Sequence, residues 1–393
     1  MTVGQDAEPT DEGNPTSVSV ATTASTLPRR LVELDTPAPV VELPRLNANL
    51  ARAATIADAA GLSLRPHTKT HKSVAIARRQ LAAGAAGLTV SKLDELAALR
   101  AADAPSYLLA YPVVTRAKAT RLVDLLQSIP ADLQVGVDNP AGAAALSDAA
   151  QYAGATIDVL IEIDSGLGRC GVPPAAAADL AAALLRRPGL RLSGVFTHAG
   201  HAYRARDGAE LSRIAQQEAD AVRYAAGQLR AMGVACPVVS VGSTPTFLTP
   251  VDRTGITEAR PGNYALLDRT QVALGVANLD QCAFSVICTV VSTGPGRAVV
   301  DGGSKVFGLD QGAHGVSLLD GYGEDPERGA MLSWLSEEHG VVADPAGRFE
   351  VGDRLRFVPN HACATANLAG HLYLVDGETV VDDVPVDAPG GGR

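Results

Sequence analysis

The sequence predicts an α/β fold: a closed (β/α)8 barrel followed by an antiparallel β domain. Three observations carry that prediction. Apolar runs of strand length alternate with Ala/Leu-rich stretches of helical period from Leu46 to about Glu258, the pattern of a parallel sheet with helices outside. After about residue 275 the texture changes to short β-rich runs separated by Gly-containing turns. Ionisable clusters also stand just beyond several of the early strands, which is where α/β folds bind ligands. An open doubly wound sheet is the second possibility for the alternating part.

Taken in order, residues 1–29 are Thr, Ser, Ala, Gly and acidic residues without periodicity and are expected to be a disordered tail. A Pro-rich entry leads into a short strand ending at Leu43, and Leu46 to Ala60 has the spacing of an amphipathic helix broken by Gly61. Leu62–Arg65 is a short strand, and a second helix runs from Ser73 to Ala83. Strands follow at Gly87–Val90, Ser106–Ala110, Leu133–Val137, Ile157–Ile163, Leu192–Thr197 and Val238–Val241, with another near Glu258. Helical stretches such as Lys92–Ala102, Pro174–Arg186 and Gly208–Met232 lie between them. With Leu62–Arg65 the strand count comes to about eight, the number that closes a barrel. Ala283–Ser292, Arg297–Asp301, Asp353–Val358 and His371–Val375 then read as strands of the β domain. The expected division is a tail over 1–29, a barrel over 46–275, and a β domain built from 276–393 with 30–45, since a barrel closes without that early strand.

Composition narrows the function. Of 393 residues, 46% are apolar and only 4% aromatic, so a large core is expected to be mostly Ala, Leu and Val. The net charge of −10, with basic residues scattered, argues against nucleic acid or an anionic membrane as partner. No apolar run reaches the ~18 residues of a membrane span. Five widely spaced cysteines fit a reducing compartment better than a disulfide framework. A cytoplasmic protein is expected.

The stretch that organises the chain is Leu64-Arg65-Pro66-His67-Thr68-Lys69-Thr70-His71-Lys72. Pro66 pushes Arg65 into an extended conformation, and the basic cluster follows at the strand end. If Lys69 continues the strand alternation, it faces the same side as His67 and His71. Burial and two neighbouring imidazoles would then lower its pKa towards that of a nucleophilic amine.

Other strand ends add candidates. Ser165-Gly166-Leu167-Gly168-Arg169 delivers an arginine, although a surface ion pair is the plainer account of it. His198, His201 and Tyr203 cluster after the next strand, where a single histidine would more often be a satisfied core residue. Gly242-Ser243-Thr244 offers N–H groups and hydroxyls suited to a phosphate, or is a plain turn. Arg260 and Tyr264 follow, placed to face the barrel mouth. In the β domain, His361-Ala362-Cys363 follows a strand. An extended segment would put both side chains on one side, and imidazole N and thiolate S are preferred zinc ligands. A buried free cysteine beside a loop histidine is the bland alternative.

Taken together these residues resemble the D-serine dehydratase-like enzymes, which include D-threonine aldolases, within the alanine-racemase-like (fold type III) group of pyridoxal 5′-phosphate (PLP) proteins. The resemblance runs from about Leu34 to the end and includes Pro385-Val386-Asp387-Ala388. Its most specific pieces are Arg65–Lys72, Ser336-Glu337-Glu338-His339-Gly340 and Pro359-Asn360-His361-Ala362-Cys363. It implies a PLP-binding barrel of the alanine racemase N-terminal type, a β domain, and a homodimer with active sites at the subunit interface. By the same resemblance Lys69 is the lysine that binds the cofactor covalently, with His67 beside it. Arg169 matches an arginine near the phenolic oxygen, and His198 the residue against the pyridine ring, with Tyr203 nearby. Gly242, Ser243 and Thr244 match the phosphate cradle, and Tyr264 borders the cofactor. His361 and Cys363 match the metal pair, whose second member is typically aspartate in the aldolases and cysteine in the dehydratases. Cysteine, the softer ligand, favours Zn2+. Ala364 stands where the motif commonly has proline.

The resemblance thus implies a PLP- and zinc-dependent lyase acting on D-serine or a related β-hydroxy-D-amino acid and giving a 2-oxo acid and ammonia. The runner-up is a D-threonine aldolase-type cleavage to glycine and an aldehyde. An amino-acid racemase, which needs no metal, and a non-catalytic PLP-binding protein remain as rivals. So does a metal-dependent barrel hydrolase using His67, His71 and His198.

Overall fold

The first sheet is a ring of eight parallel strands. The structure, a computed structural model, describes residues 30–390, so the tail expected over residues 1–29 lies outside the described residues. After β1 (Ala38–Glu42) and α1 (Leu43–Ala59), strands and helices alternate as β2 (Ser63–Leu64), α2 (Val74–Ala82), β3 (Leu88–Val90), α3 (Leu93–Leu99) and β4 (Ser106–Leu109). They continue as α4 (Arg116–Ser128), β5 (Asp132–Val137), α5 (Pro140–Tyr152), β6 (Ile157–Ile163), α6 (Ala177–Leu185) and β7 (Leu190–Thr197). Then come α7 (Gly208–Ala231), β8 (Val238–Val241), α8 (Thr244–Leu248) and β9 (Glu258–Ala259).

The strand order is β2-β9-β8-β7-β6-β5-β4-β3. The two ends meet where the Ala86 N–H donates to the Leu64 carbonyl and the Thr89 N–H to the Pro66 carbonyl, each at 2.8 Å. His67 also bridges Thr89 in parallel register. The ring therefore closes, as the alternation predicts. Polar caps start several of its helices: Thr115 for α4, Asn139 for α5 and Asp207 for α7 each accept a backbone N–H of the first turn.

Inside the ring, Leu108, Leu160 and Phe196 pack together and are fully buried. A Cβ at Gly136 would come within 2.7 Å of the Phe196 ring, so that position admits only glycine while Phe196 fills the lumen. Polar side chains near this layer meet one another. Arg65 meets Glu258 at 2.8 Å and Gln134 at 2.6 Å, and Ser240 bonds both Glu258 and Arg260. Buried charges persist only when matched in this way.

The second sheet is antiparallel in most of its pairings. Following α9 (Arg269–Ala273) come β10 (Phe284–Gly294), β11 (Arg297–Val300), α10 (Ser304–Phe307), β12 (Gly323–Asp325), β13 (Ala330–Leu335) and β14 (Gly340–Ala343). The chain ends with β15 (Arg354–Pro359), α11 (Ala362–Leu368), β16 (His371–Asp376) and β17 (Thr379–Pro385). The order is β11-β14-β13-β12-β15-β10-β1-β16-β17, and β11 also pairs with β10, closing six strands into a small barrel. β1 lies in this sheet, antiparallel to β10 and parallel to β16. Residues 336–339 form the β13–β14 turn, where the Ser336 N–H donates to the His339 carbonyl. Among the described residues, no helix is long and apolar enough to cross a membrane.

Two local expectations need correction. The alternation expected through Lys69 stops at His67, because Thr68–Thr70 form a 3-10 turn. The Thr68 hydroxyl donates to the Thr89 carbonyl, and its own carbonyl accepts from the His71 and Lys72 N–H groups, so the backbone leaves the strand path. His361 and Cys363 are likewise not in an extended segment. His361 is the N-cap of α11, and Cys363 lies in its first turn.

Candidate active site

A cavity of about 540 Å³ opens where the barrel strands end and β-domain residues face them. Lys69, presented by the 3-10 turn after β2, lines it together with His67, Arg169, His198, Tyr203, Ser243 and Thr244 from the barrel. His361 and Cys363 line it from the β domain. Nine side chains singled out in the sequence thus share one enclosure within the usual volume of a small-molecule site.

Burial sets the state of the lysine. Desolvation, with the charges of Arg169 and Arg260, holds the Lys69 amine below its ordinary pKa against the opposing pull of Cys363 and Glu95. The two imidazoles expected to do this are not the agents. His71 points away from the cavity, with Nε2 3.2 Å from Gln80 and Nδ1 accepting the Ser73 N–H. That geometry also removes His71 from any shared metal site with His67 and His198. Beyond the turn, Lys72 takes a left-handed φ of 47°, and its amine is held by Asn367 at 2.7 Å and Glu95 at 3.4 Å.

His198 Nδ1 lies 2.6 Å from the Gly242 carbonyl. A carbonyl only accepts, so the hydrogen sits on Nδ1 and Nε2 keeps its lone pair. That lone pair faces His314 Nε2 at 3.4 Å. The His314 ring also packs on Tyr203, 4.9 Å between centroids. Burial pushes the His314 pKa down to about 3, with Lys69 and Arg169 adding to the effect. His201 is not part of this cluster. Its place beside His198 and Tyr203 is taken by His314, which comes from the loop after α10 and has no local sequence signal.

Two expected cofactor residues stand behind the wall. Gly242 donates its N–H to Glu218 at 3.1 Å and gives its carbonyl to His198. A Cβ at Gly242 would press on Arg260 at 3.0 Å. The Tyr264 hydroxyl accepts from Gln80, and its N–H donates to Thr244 Oγ1 at 3.1 Å, so Tyr264 steadies the Ser243–Thr244 turn from beneath.

On the β-domain side, burial would lower the His361 pKa, but Cys363 and Asp310 outweigh it and hold it well above the ordinary value. Burial likewise favours the Cys363 thiol, yet His361 and Thr70 outweigh it and favour the thiolate. Asp310, His314, Arg260, Glu162 and Asn263 are also among the lining residues. Of these, sequence patterns had pointed only to Arg260 as facing the mouth. Glu162, buried beside Arg169 at 3.8 Å, has its pKa pushed up to about 7 by burial.

The chain matches the alanine racemase N-terminal domain over residues 41–269 and the putative serine dehydratase domain over residues 283–375. It is 39% identical over 355 residues to D-threo-3-hydroxyaspartate dehydratase of Delftia sp. (strain HT23), covering 85% of this chain and 92% of that one. It is 33% identical to D-threonine aldolase of Arthrobacter sp. over 92% of this chain and 95% of the relative. The solved structure of the Delftia enzyme superposes with a TM-score of 0.84 at 36% identity, over 91% of this chain and 99% of that one.

Proposed function

The chain belongs to the family that joins an alanine racemase-type N-terminal domain to a serine dehydratase domain, and from that premise we propose a PLP- and zinc-dependent dehydratase of a β-hydroxy-D-amino acid. Its products would be a 2-oxo acid and ammonia. The observation that carries this reading is the enclosure of the Lys69 amine, the Ser243–Thr244 hydroxyls and the His361–Cys363 pair in one cavity. A lyase acting at Cα and Cβ of one small substrate needs those three functions within reach of each other.

The residues present fit the cofactor. Lys69, Lys72, Lys92, Arg169 and Arg260 line the cavity against the carboxylates of Glu95, Glu162 and Asp310, an excess of cations suited to a phosphate and a carboxylate. Ser243 and Thr244 would hold the phosphate, Lys69 the aldehyde carbon, and His198 the ring face. PLP, when bound, supplies an electron sink for the bond broken at Cα. The lowered pKa of Lys69 makes its neutral amine available both to hold the cofactor and, once free, to take the α-proton. His198, fixed by Gly242, is a rigid neutral wall rather than a competing base.

The metal pair fits zinc by its donor set, one nitrogen and one thiolate sulfur. Two protein ligands leave positions open, which is a catalytic rather than a structural arrangement. Zinc, when bound, supplies a Lewis acid for a leaving hydroxyl. A variant of a D-threo-3-hydroxyaspartate dehydratase has been solved in a form described as metal-free, which supports a metal in that relative.

The runner-up is aldol cleavage to glycine and an aldehyde, favoured by the likeness to a D-threonine aldolase. Cys363 in place of aspartate tips the balance to the dehydratase. A homodimer with active sites at its interface follows from the family resemblance. The five free cysteines support a cytoplasmic location. The deciding experiment is a panel of D-serine, D-threonine and 3-hydroxy-D-aspartate, scoring oxo acid plus ammonia against glycine plus aldehyde. Glycine as the dominant product would overturn the dehydratase reading.

A further inference from the structure

His361 is held by a carboxylate that also lines the cavity. Its Nδ1 lies 2.6 Å from Oδ2 of Asp310, a residue 51 positions earlier in the chain. The preceding residue, Asn360, is 1% exposed and holds the same loop by its backbone. Asn360 Nδ2 donates to the Asp310 carbonyl at 3.2 Å and to the Gly321 carbonyl at 2.8 Å. Asn360 Oδ1 in turn accepts from Arg269 Nη1. Two consecutive residues therefore clasp residue 310, one through its main chain and one through its side chain.

That clasp assigns the ring nitrogens. A carboxylate accepts, so Nδ1 of a neutral His361 carries the hydrogen and Nε2 keeps the lone pair. Histidines that bind metals commonly hold a carboxylate in this way through the nitrogen that does not face the metal.

We propose that Asp310 is a positioning residue for the metal site, setting the tautomer and orientation of His361 so that Nε2 and the Cys363 sulfur together take a zinc ion. The inference rests on the metal reading of His361 and Cys363 and extends it to a residue outside the H-x-C motif. It also gives Asn360 a role, namely to keep the loop that carries Asp310 in register with His361.

The test is zinc affinity of the PLP-loaded, metal-stripped full chain, measured by competition with a chromophoric chelator. The thiolate-to-metal charge-transfer band after Co2+ loading gives a second readout. Asp310→Asn is expected to bind zinc about 10- to 100-fold more weakly, with the cofactor absorbance and melting temperature unchanged. Asp310→Glu, which keeps the carboxylate, is expected to recover part of that loss. Unchanged affinity in Asp310→Asn would overturn the proposal, provided His361→Ala and Cys363→Ala both lose zinc. A loss as complete as that of His361→Ala would also overturn it, because Asp310 would then be a ligand itself. If His361→Ala and Cys363→Ala both bind zinc like the parent, the metal reading falls and this inference falls with it.

Discussion

Thr70 Oγ1 lies 3.2 Å from the sulfur of Cys363, across 293 positions of sequence. The residue after the cavity lysine thus touches the Cys363 thiol, and the first barrel turn is held against the β domain. Neighbouring contacts strengthen that joint. Asp387 accepts the Val74 N–H at the start of α2 and donates its own N–H to the Lys72 carbonyl, each at 2.7 Å. The C-terminal Pro-Val-Asp-Ala piece therefore straps the lysine turn from behind. Displacing either side would move both chemical groups.

Lys69→Ala is expected to lose both the visible absorbance of bound cofactor and all turnover. A variant that keeps the band would show that the cofactor is held by another amine. The absorption spectrum of the purified protein is sufficient to decide.

Arg169→Gln should shift cofactor uptake to higher pH. The Arg169 charge helps hold the Lys69 pKa down, and the attacking species is the neutral amine. Removing that charge raises the pKa, so less neutral amine exists at a given pH and the midpoint of uptake moves upward. The midpoint of band amplitude against pH measures this. An unmoved or acid-shifted midpoint would contradict the electrostatic account.

Metal chelation should stop turnover while leaving the cofactor band in place, because the proposed covalent hold on the cofactor is the Lys69 amine and not the His361–Cys363 pair. Undiminished rates after complete metal removal would argue against a catalytic metal and favour a racemase.

Glu162 should make the cofactor-free protein lose stability as pH rises from about 4.5 to about 7. Across that window the folded state binds more protons than the unfolded state, so stability falls with rising pH and is flat above it. A shift of this size corresponds to about 3 kcal/mol as an order of magnitude. Glu162→Gln should remove that pH dependence. Denaturant melts of both proteins at pH 5 and pH 8 check it, and equal slopes against pH would refute the assignment.

Much of the barrel was legible in the sequence because its signals are local. Val/Ile/Leu runs of strand length, such as Ile157–Ile163, stand between alanine-rich helical stretches, and β6 has those same bounds. β12, β13, β14 and β17 were not anticipated. β12 has only 3 residues, and β17 is an acid-bearing strand at the end of its sheet, so neither carries a strong apolar pattern. His314 and Asp310 were missed for a related reason: a loop without periodicity places them, and only their spatial partners mark them out.

What the sequence by itself determined was the alternation, the lysine at a strand end, and residue types matching a known constellation. Those depend on period and on chemistry within a few neighbouring residues. The tertiary structure decided that His71 is buried away from the cavity while His314 lines it. It also decided that burial and arginines, rather than imidazoles, tune Lys69, and that His361 leans on Asp310. Each of these depends on desolvation and on contacts between groups far apart in the chain, and both come into being only when the barrel closes and the β domain packs against its mouth.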